Sequence, residues 1–85
     1  MHYLYVLRSL KDGRLYTGIA ANVERRLNDH NAGRSRATRY RRPLVLLYTE
    51  AHQTRAEAMA RERYFKTAEG GALKRRLIAE HELPP

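Results

Sequence analysis

Tyr5 and Tyr16 lie eleven residues apart on either side of Lys11-Asp12-Gly13, a segment that reads as a tight turn because Gly can take positive φ. If the flanking residues pair as a hairpin, both phenol hydroxyls come to one region of the sheet. Gly18, two residues past Tyr16, would let another backbone or a substrate approach closely. Arg26 follows ten residues after Tyr16 and His30 four after that, on one side of a helix. A guanidinium fork and polar-tipped rings so gathered suit an anion. The plainer alternative makes the tyrosines amphipathic core-edge residues and leaves Arg26 and His30 on the surface. A further residue stands out in the helix that begins after Thr54, where Ala58, Glu62 and Phe65 share a stripe with Met59 on its flank. A carboxylate on an apolar stripe is costly unless something charged meets it. Either Glu62 turns inward to such a partner, or it reaches Lys66 at i+4 in a surface pair worth roughly 0.2–0.5 kcal/mol.

Charge points to the kind of anion. Residues 31–43 read Asn-Ala-Gly-Arg-Ser-Arg-Ala-Thr-Arg-Tyr-Arg-Arg-Pro, with five arginines and no acid. Such a density repels itself and is expected to need counter-charge from a partner. Guanidinium forks match phosphate oxygens and stack on bases, and Tyr40 adds a flat ring beside them. Arg34, Arg36, Thr38, Arg39, Tyr40, Arg41 and Arg42 are therefore the expected nucleic-acid contacts, with Thr38 a further phosphate contact. The bland alternative is a solvated arginine-rich loop. Nucleic acid is favoured because the excess is clustered while the rest of the chain is nearly balanced.

The elements that must position these groups are few. The 85 residues make one domain, residues 1–85, with a formal net charge of +8 from 17 Lys+Arg against 9 Asp+Glu. Hydrophobic residues are 42% of the chain, enough for a core. The absence of cysteine excludes a disulfide scaffold, a zinc-thiolate site and a Cys nucleophile. The apolar run Leu44–Tyr48 is far shorter than the ~20 residues a membrane span needs, and residues 1–5 carry no secretory pattern. The expectation is a cytoplasmic, polyanion-seeking domain with no membrane partner.

Tyr3 to Ser9 alternates Tyr3, Tyr5 and Leu7 against Leu4, Val6 and Arg8, a strand pattern, and Arg14 to Gly18 returns as its hairpin partner. Asn22 is a helix cap for Val23 to about Ala32, and Gly33 can terminate that helix. Pro43 introduces Leu44 to Thr49, whose near-continuous apolar run predicts a central, well-buried strand. Thr54-Arg55-Ala56-Glu57 fits a capping box for a helix to about Thr67. Gly70-Gly71 is expected to break it, with a last helix from Ala72 to about His81 turning Leu73, Leu77 and Ile78 inward, and Leu83-Pro84-Pro85 as an end. The order is β-β-α-β-α-α, an α+β fold with a small three-stranded antiparallel sheet flanked by helices.

Tyr3-Leu4-Tyr5, Tyr16-Thr17-Gly18 and the run from Asn22 through Arg26 to His30 together resemble the GIY-YIG nuclease superfamily, most of all its small stand-alone bacterial members. Tyr3-Leu4 stands where the first motif has Gly-Ile, and Thr17 occupies the middle of the second. The resemblance runs from about His2 to Ile78 and implies a metal-dependent endonuclease acting on DNA or RNA. It implies Tyr5 as general base, Tyr16 as the group that orients water or phosphate, and Arg26 as a clamp on the scissile phosphate. His30 would hydrogen-bond to phosphate or to a tyrosine, and Glu62, in Ala60-Arg61-Glu62-Arg63, matches the metal-binding glutamate. One carboxylate and no second acidic cluster argue for a single hard cation, Mg²⁺ or Mn²⁺, completed by waters and substrate oxygens.

Two other functions compete. A module that kept the fold but lost useful turnover would show salt-sensitive binding through Arg34 to Arg42 and no metal-dependent product. A basic accessory protein would dock onto an acidic protein partner and compete poorly with polynucleotide. Nothing in the chain resembles a DNA-reading appendage, so sequence selectivity is expected to be low or borrowed from a partner protein.

Overall fold

The computed structural model describes residues 1–81, so Leu83-Pro84-Pro85 lies outside the described residues. Strand β1 (His2–Ser9) and strand β2 (Leu15–Ala20) pair antiparallel, with Tyr5 opposite Gly18 and Leu7 opposite Tyr16. Ser9 closes the turn: its buried hydroxyl accepts from the amides of Lys11 and Asp12, 3.1 Å each, and donates to the Arg41 carbonyl at 2.6 Å. That last bond ties the hairpin to the arginine segment.

Strand β3 (Leu44–His52) pairs antiparallel with the other side of β1, giving the sheet order β2-β1-β3. The expectation of a central β3 is thus corrected. β1 is the middle strand, and it alone has four consecutive buried residues, Leu4 to Leu7. The apolar run of β3 has another cause. Its register with β1 shifts between Leu46 and Tyr48, so Leu47 is an extra, bulged residue. A bulge breaks the alternation of faces, and an edge strand then reads like a fully buried one.

Helix α1 (Val23–Asn31) starts at Asn22, whose side chain accepts from the Arg25 amide at 3.0 Å. It lies against the sheet face that carries Tyr5, Leu7 and Leu44, with Val23 and Leu27 turned inward. Helix α2 (Arg55–Phe65) starts at Thr54, whose hydroxyl accepts from the Glu57 amide at 3.1 Å. With helix α3 (Ala68–His81) it covers the opposite face, where Leu4, Val6, Tyr48, Phe65 and Ile78 form the main core and Leu73 and Leu77 pack against it. The alternation along β1 therefore sorts Leu4 and Val6 from Tyr5 and Leu7, as the sequence pattern predicts.

Gly70-Gly71 does not break a helix; both residues lie inside α3, and the interruption falls at Lys66-Thr67. Thr67 restarts the chain, its hydroxyl accepting from the Gly70 amide at 3.0 Å. A Cβ on Gly70 would lie 1.8 Å from the Tyr64 carbonyl oxygen, so glycine is there to let two helices meet closely. Among the described residues no helix is long and apolar enough to cross a membrane.

Candidate active site

Tyr5 is 1% exposed, and its ring lies over Gly18, where a Cβ would stand 2.5 Å from the phenol oxygen. The clearance that Gly18 provides is taken by the Tyr5 ring itself. Its hydroxyl lies 3.0 Å from His30 Nε2, and His30 Nδ1 lies 2.7 Å from Thr38 Oγ1. The Tyr16 ring packs edge-on against His30, with centroids 5.0 Å apart, and tilts against Tyr5 at 6.4 Å. His30 occupies the last turn of α1, fully buried, with both nitrogens partnered inside the protein. Burial lowers its pKa below 6.5, and the positive Arg26 lowers it further against the opposing Asp29. Burial and the neighbouring guanidinium thus favour the neutral imidazole.

Arg26 sits one turn before His30 on the exposed side of α1, its guanidinium close enough to act on the charge of the Tyr5 phenol. Burial raises the Tyr5 pKa above 10.0; the hydrogen bond from Arg26 works the other way, and Tyr16 and Glu62 add to the rise. The Arg26 pKa rises in turn, chiefly through the bond to Tyr5. That Glu62 is felt at Tyr5 puts its carboxylate within electrostatic reach of the phenol. Its side chain is 23% exposed and pairs with Lys66 Nζ at 3.6 Å. Glu62 thus makes the surface pair along its own helix, and its tie to the ring cluster is a weak charge effect on Tyr5.

Among the described residues no three His, Cys, Asp or Glu side chains gather as a ready metal cage. The donor set near Tyr5 is one carboxylate and phenol oxygens, all hard ligands. Mg²⁺ fits such a set, since it keeps several waters and commonly takes one or two carboxylates plus substrate phosphate oxygens.

The arginine segment is folded rather than repelled apart, through a 3-10 turn at Arg39–Arg41. Two of its five arginines find counter-charge inside the chain. Arg34 pairs with Asp29 at 2.8 Å and Arg41 with Asp12 at 3.2 Å, while Arg42 Nε donates to the Arg39 carbonyl at 2.7 Å. The expectation that this segment cannot fold without a partner's counter-charge is corrected accordingly. Thr38 is also corrected as a phosphate contact: it is fully buried and turned to His30. Arg41 is largely committed to Asp12 and the hairpin. Arg36, Arg39 and Arg42 remain exposed, and the Arg39 guanidinium lies 5.5 Å from the centre of the Tyr40 ring, itself 76% exposed. Arg39, Tyr40 and Arg42 line a cleft of about 450 Å³ together with Lys11, which the sequence reading leaves as a turn residue.

Sequence reasoning missed the inward turn of Thr38. The one available signal was that Ala37-Thr38 is an uncharged pair within the basic run. It also missed Glu50, which holds Arg61, the neighbour of Glu62, through a 2.8 Å bond from Arg61 Nε. Nothing in the spacing of residues 50 and 61 announces that contact, because the packing of α2 on β3 sets it.

Comparison with known proteins bears on the family and the fold. The model of the GIY-YIG catalytic domain matches residues 1–81. A UPF0213 protein of Staphylococcus haemolyticus is 48% identical over 67 residues, covering 78% of this chain and 80% of that one. A UPF0213 protein of Natronomonas pharaonis is 45% identical over 80 residues, covering 93% and 92%. The solution NMR structure of a UPF0213 protein from Bacillus halodurans has a TM-score of 0.55 and 35% identity, over 98% of this chain and 87% of that one. With the family model matching nearly the whole chain, the chain belongs to the GIY-YIG family, a nuclease-type domain, and its relatives are UPF0213 proteins.

Proposed function

We propose that the protein is an endonuclease that hydrolyses phosphodiester bonds in DNA, or in RNA as the other polynucleotide of like chemistry, with one Mg²⁺ or Mn²⁺ ion held by Glu62. The observation that carries this reading is the convergence of Tyr5, Tyr16 and His30 beneath the Arg26 guanidinium, with the Glu62 charge felt at the same phenol. Arg26 grips the scissile phosphate and offsets the charge that builds on it, a kind of help whose removal costs about 3 kcal/mol. Tyr5 takes the proton of the attacking water, and the Arg26 bond favours the phenolate that can do so. Tyr16 orients water or phosphate from the far side of the imidazole, and His30 holds the Tyr5 oxygen. The bound ion supplies stabilisation of the leaving oxygen's charge.

Arg34, Arg36, Arg39 and Arg42, with Tyr40 as a stacking face, carry the flanking backbone. This gives affinity with little sequence reading. The protein then works in the cytoplasm, in DNA repair or processing, with a partner protein supplying specificity. The Glu62–Lys66 pair at 3.6 Å favours a second reading, a nucleic-acid-binding module with weak turnover.

Assays on duplex, branched and single-stranded DNA and on RNA, with and without Mg²⁺ or Mn²⁺, separate the two. The enzyme reading expects metal-dependent product that vanishes in a folded Arg26→Ala variant. Tight, salt-sensitive binding without product supports the binding module.

A further inference from the structure

We infer that Thr38 is a positioning residue: its buried hydroxyl donates to His30 Nδ1 and so fixes the imidazole as the Nε2–H form, which makes His30 a donor to the Tyr5 oxygen. The kinetic part of this inference rests on the proposed nuclease activity; the proton placement does not.

The geometry supplies the reasons. A threonine hydroxyl has one proton to give, and in a fully buried site that proton needs an acceptor. Thr38 Oγ1 lies 2.7 Å from His30 Nδ1, a short contact. The main chain of Thr38 is separately satisfied, its amide donating to the Ser35 carbonyl and its carbonyl accepting from Arg41. If Nδ1 carried the imidazole proton, both atoms of the contact would present hydrogens and the Thr38 proton would have to find another acceptor in the interior. With Nδ1 as acceptor, the contact is satisfied at once and the imidazole proton must reside on Nε2.

At the far end of the ring, Nε2 faces the Tyr5 oxygen at 3.0 Å. The phenol oxygen then accepts the His30 N–H, and its own proton turns away from the imidazole toward the Arg26 side, where the proposed substrate and its water would sit. The opposite tautomer would strand the Thr38 proton in the interior instead. The other charged and titratable groups facing this oxygen are Tyr16 from β2 and Glu62 from α2, with Asp29 beside His30 on α1. None of these gives His30 Nδ1 an alternative donor. Thr38 also lies between Arg36 and Arg39, so the contact pins the polynucleotide-facing segment to the tyrosine it serves.

Long-range ¹⁵N–¹H correlation spectra of the histidine rings test this on wild-type protein without substrate. The expected result is a proton on His30 Nε2 and a bare Nδ1. A proton on Nδ1 in the wild type overturns the inference, whether or not any variant folds. Thr38→Val, similar in shape but without the hydroxyl, is expected to lose the single Nε2–H form and Thr38→Ser to restore it. A Thr38→Val spectrum identical to wild type contradicts the assignment. On nucleic acid, Thr38→Val is expected to lower kcat about tenfold with KM little changed, again recovered by Thr38→Ser. A wild type that cleaves nothing would sink the nuclease reading and leave the spectrum to decide on Thr38.

Discussion

Tyr5 on β1 and Tyr48 on β3 are both buried and hydrogen-bonded, on opposite faces of one sheet, and their charged partners push in opposite directions. Tyr48 donates to Glu50 Oε2 at 2.6 Å, and the same carboxylate takes His52 Nε2 at 2.9 Å and Arg61 Nε at 2.8 Å. Burial and then the Glu50 bond push the Tyr48 pKa up to about 12. Burial works against ionised Glu50, but the bonds from Tyr48, His52 and Arg61 outweigh it and hold the carboxyl below 4.5. That phenol is needed as a donor and is held as one. Tyr5 has no carboxylate to serve; it meets an imidazole and a guanidinium, and the guanidinium tolerates a phenolate. Burial is the largest influence on both phenols and raises both; the partners then differ, the Glu50 bond adding to the rise at Tyr48 and the Arg26 guanidinium working against it at Tyr5.

The strongest way to break this contrast is to remove each hydroxyl. Tyr5→Phe is expected to slow cleavage by about 10²–10⁴-fold, as loss of a general base does. Tyr48→Phe should leave the rate near wild type and instead cost about 1–2 kcal/mol in urea unfolding, because Glu50 loses a buried donor. Equal kinetic losses would erase the distinction.

Gly18→Ala sharpens it. The new Cβ at 2.5 Å must push the Tyr5 oxygen off its partners. We expect a loss of about 1–3 kcal/mol, together with a fall in cleavage and a changed His30 ring spectrum. Unaltered Tyr5 and His30 resonances would show that the ring does not depend on that clearance.

A smaller effect comes from pH. The folded His30 has a pKa below 6.5, so the unfolded chain takes up that proton first. Stability contributed by this buried neutral ring is present above 6.5 and is lost as pH falls through the folded value. His30→Gln should flatten this part of the stability–pH curve in thermal melts, whereas a wild type showing no such slope from 7 down to 5 would contradict a buried neutral ring. The smallest effect belongs to the surface. Arg36→Ala and Arg39→Ala should each reduce the salt slope of polynucleotide binding by about 1 while leaving stability nearly unchanged. Arg41→Ala should do the reverse, because its charge is engaged with Asp12.

Local chemistry explains what was legible in the sequence. The faces of β1, the Asn22 and Thr54 caps and the hairpin turn depend on neighbours within a few residues, and each is where its pattern puts it. The gathering of Tyr5, Tyr16, Arg26 and His30 was legible because a hairpin followed by a helix leaves few alternatives and the motif set resembles a known family. The edge position of β3 was not legible, since the Leu47 bulge mimics two-sided burial. Gly70 reads as a helix breaker in sequence and serves a helix–helix contact in space. Thr38 reads as one more polar residue in a basic run, because only tertiary packing shows that it turns to His30.

The central claim is that Tyr5, Tyr16, Arg26, His30 and Glu62 form one phosphodiester-cleaving site. Its most direct test is nicking of supercoiled plasmid in Mg²⁺ or Mn²⁺ by wild type and Glu62→Ala purified side by side, with folding of both checked by circular dichroism. Nicking by wild type alone, abolished by chelation, is the predicted result. Equal nicking by the two proteins would mark the activity as a contaminant and contradict the account.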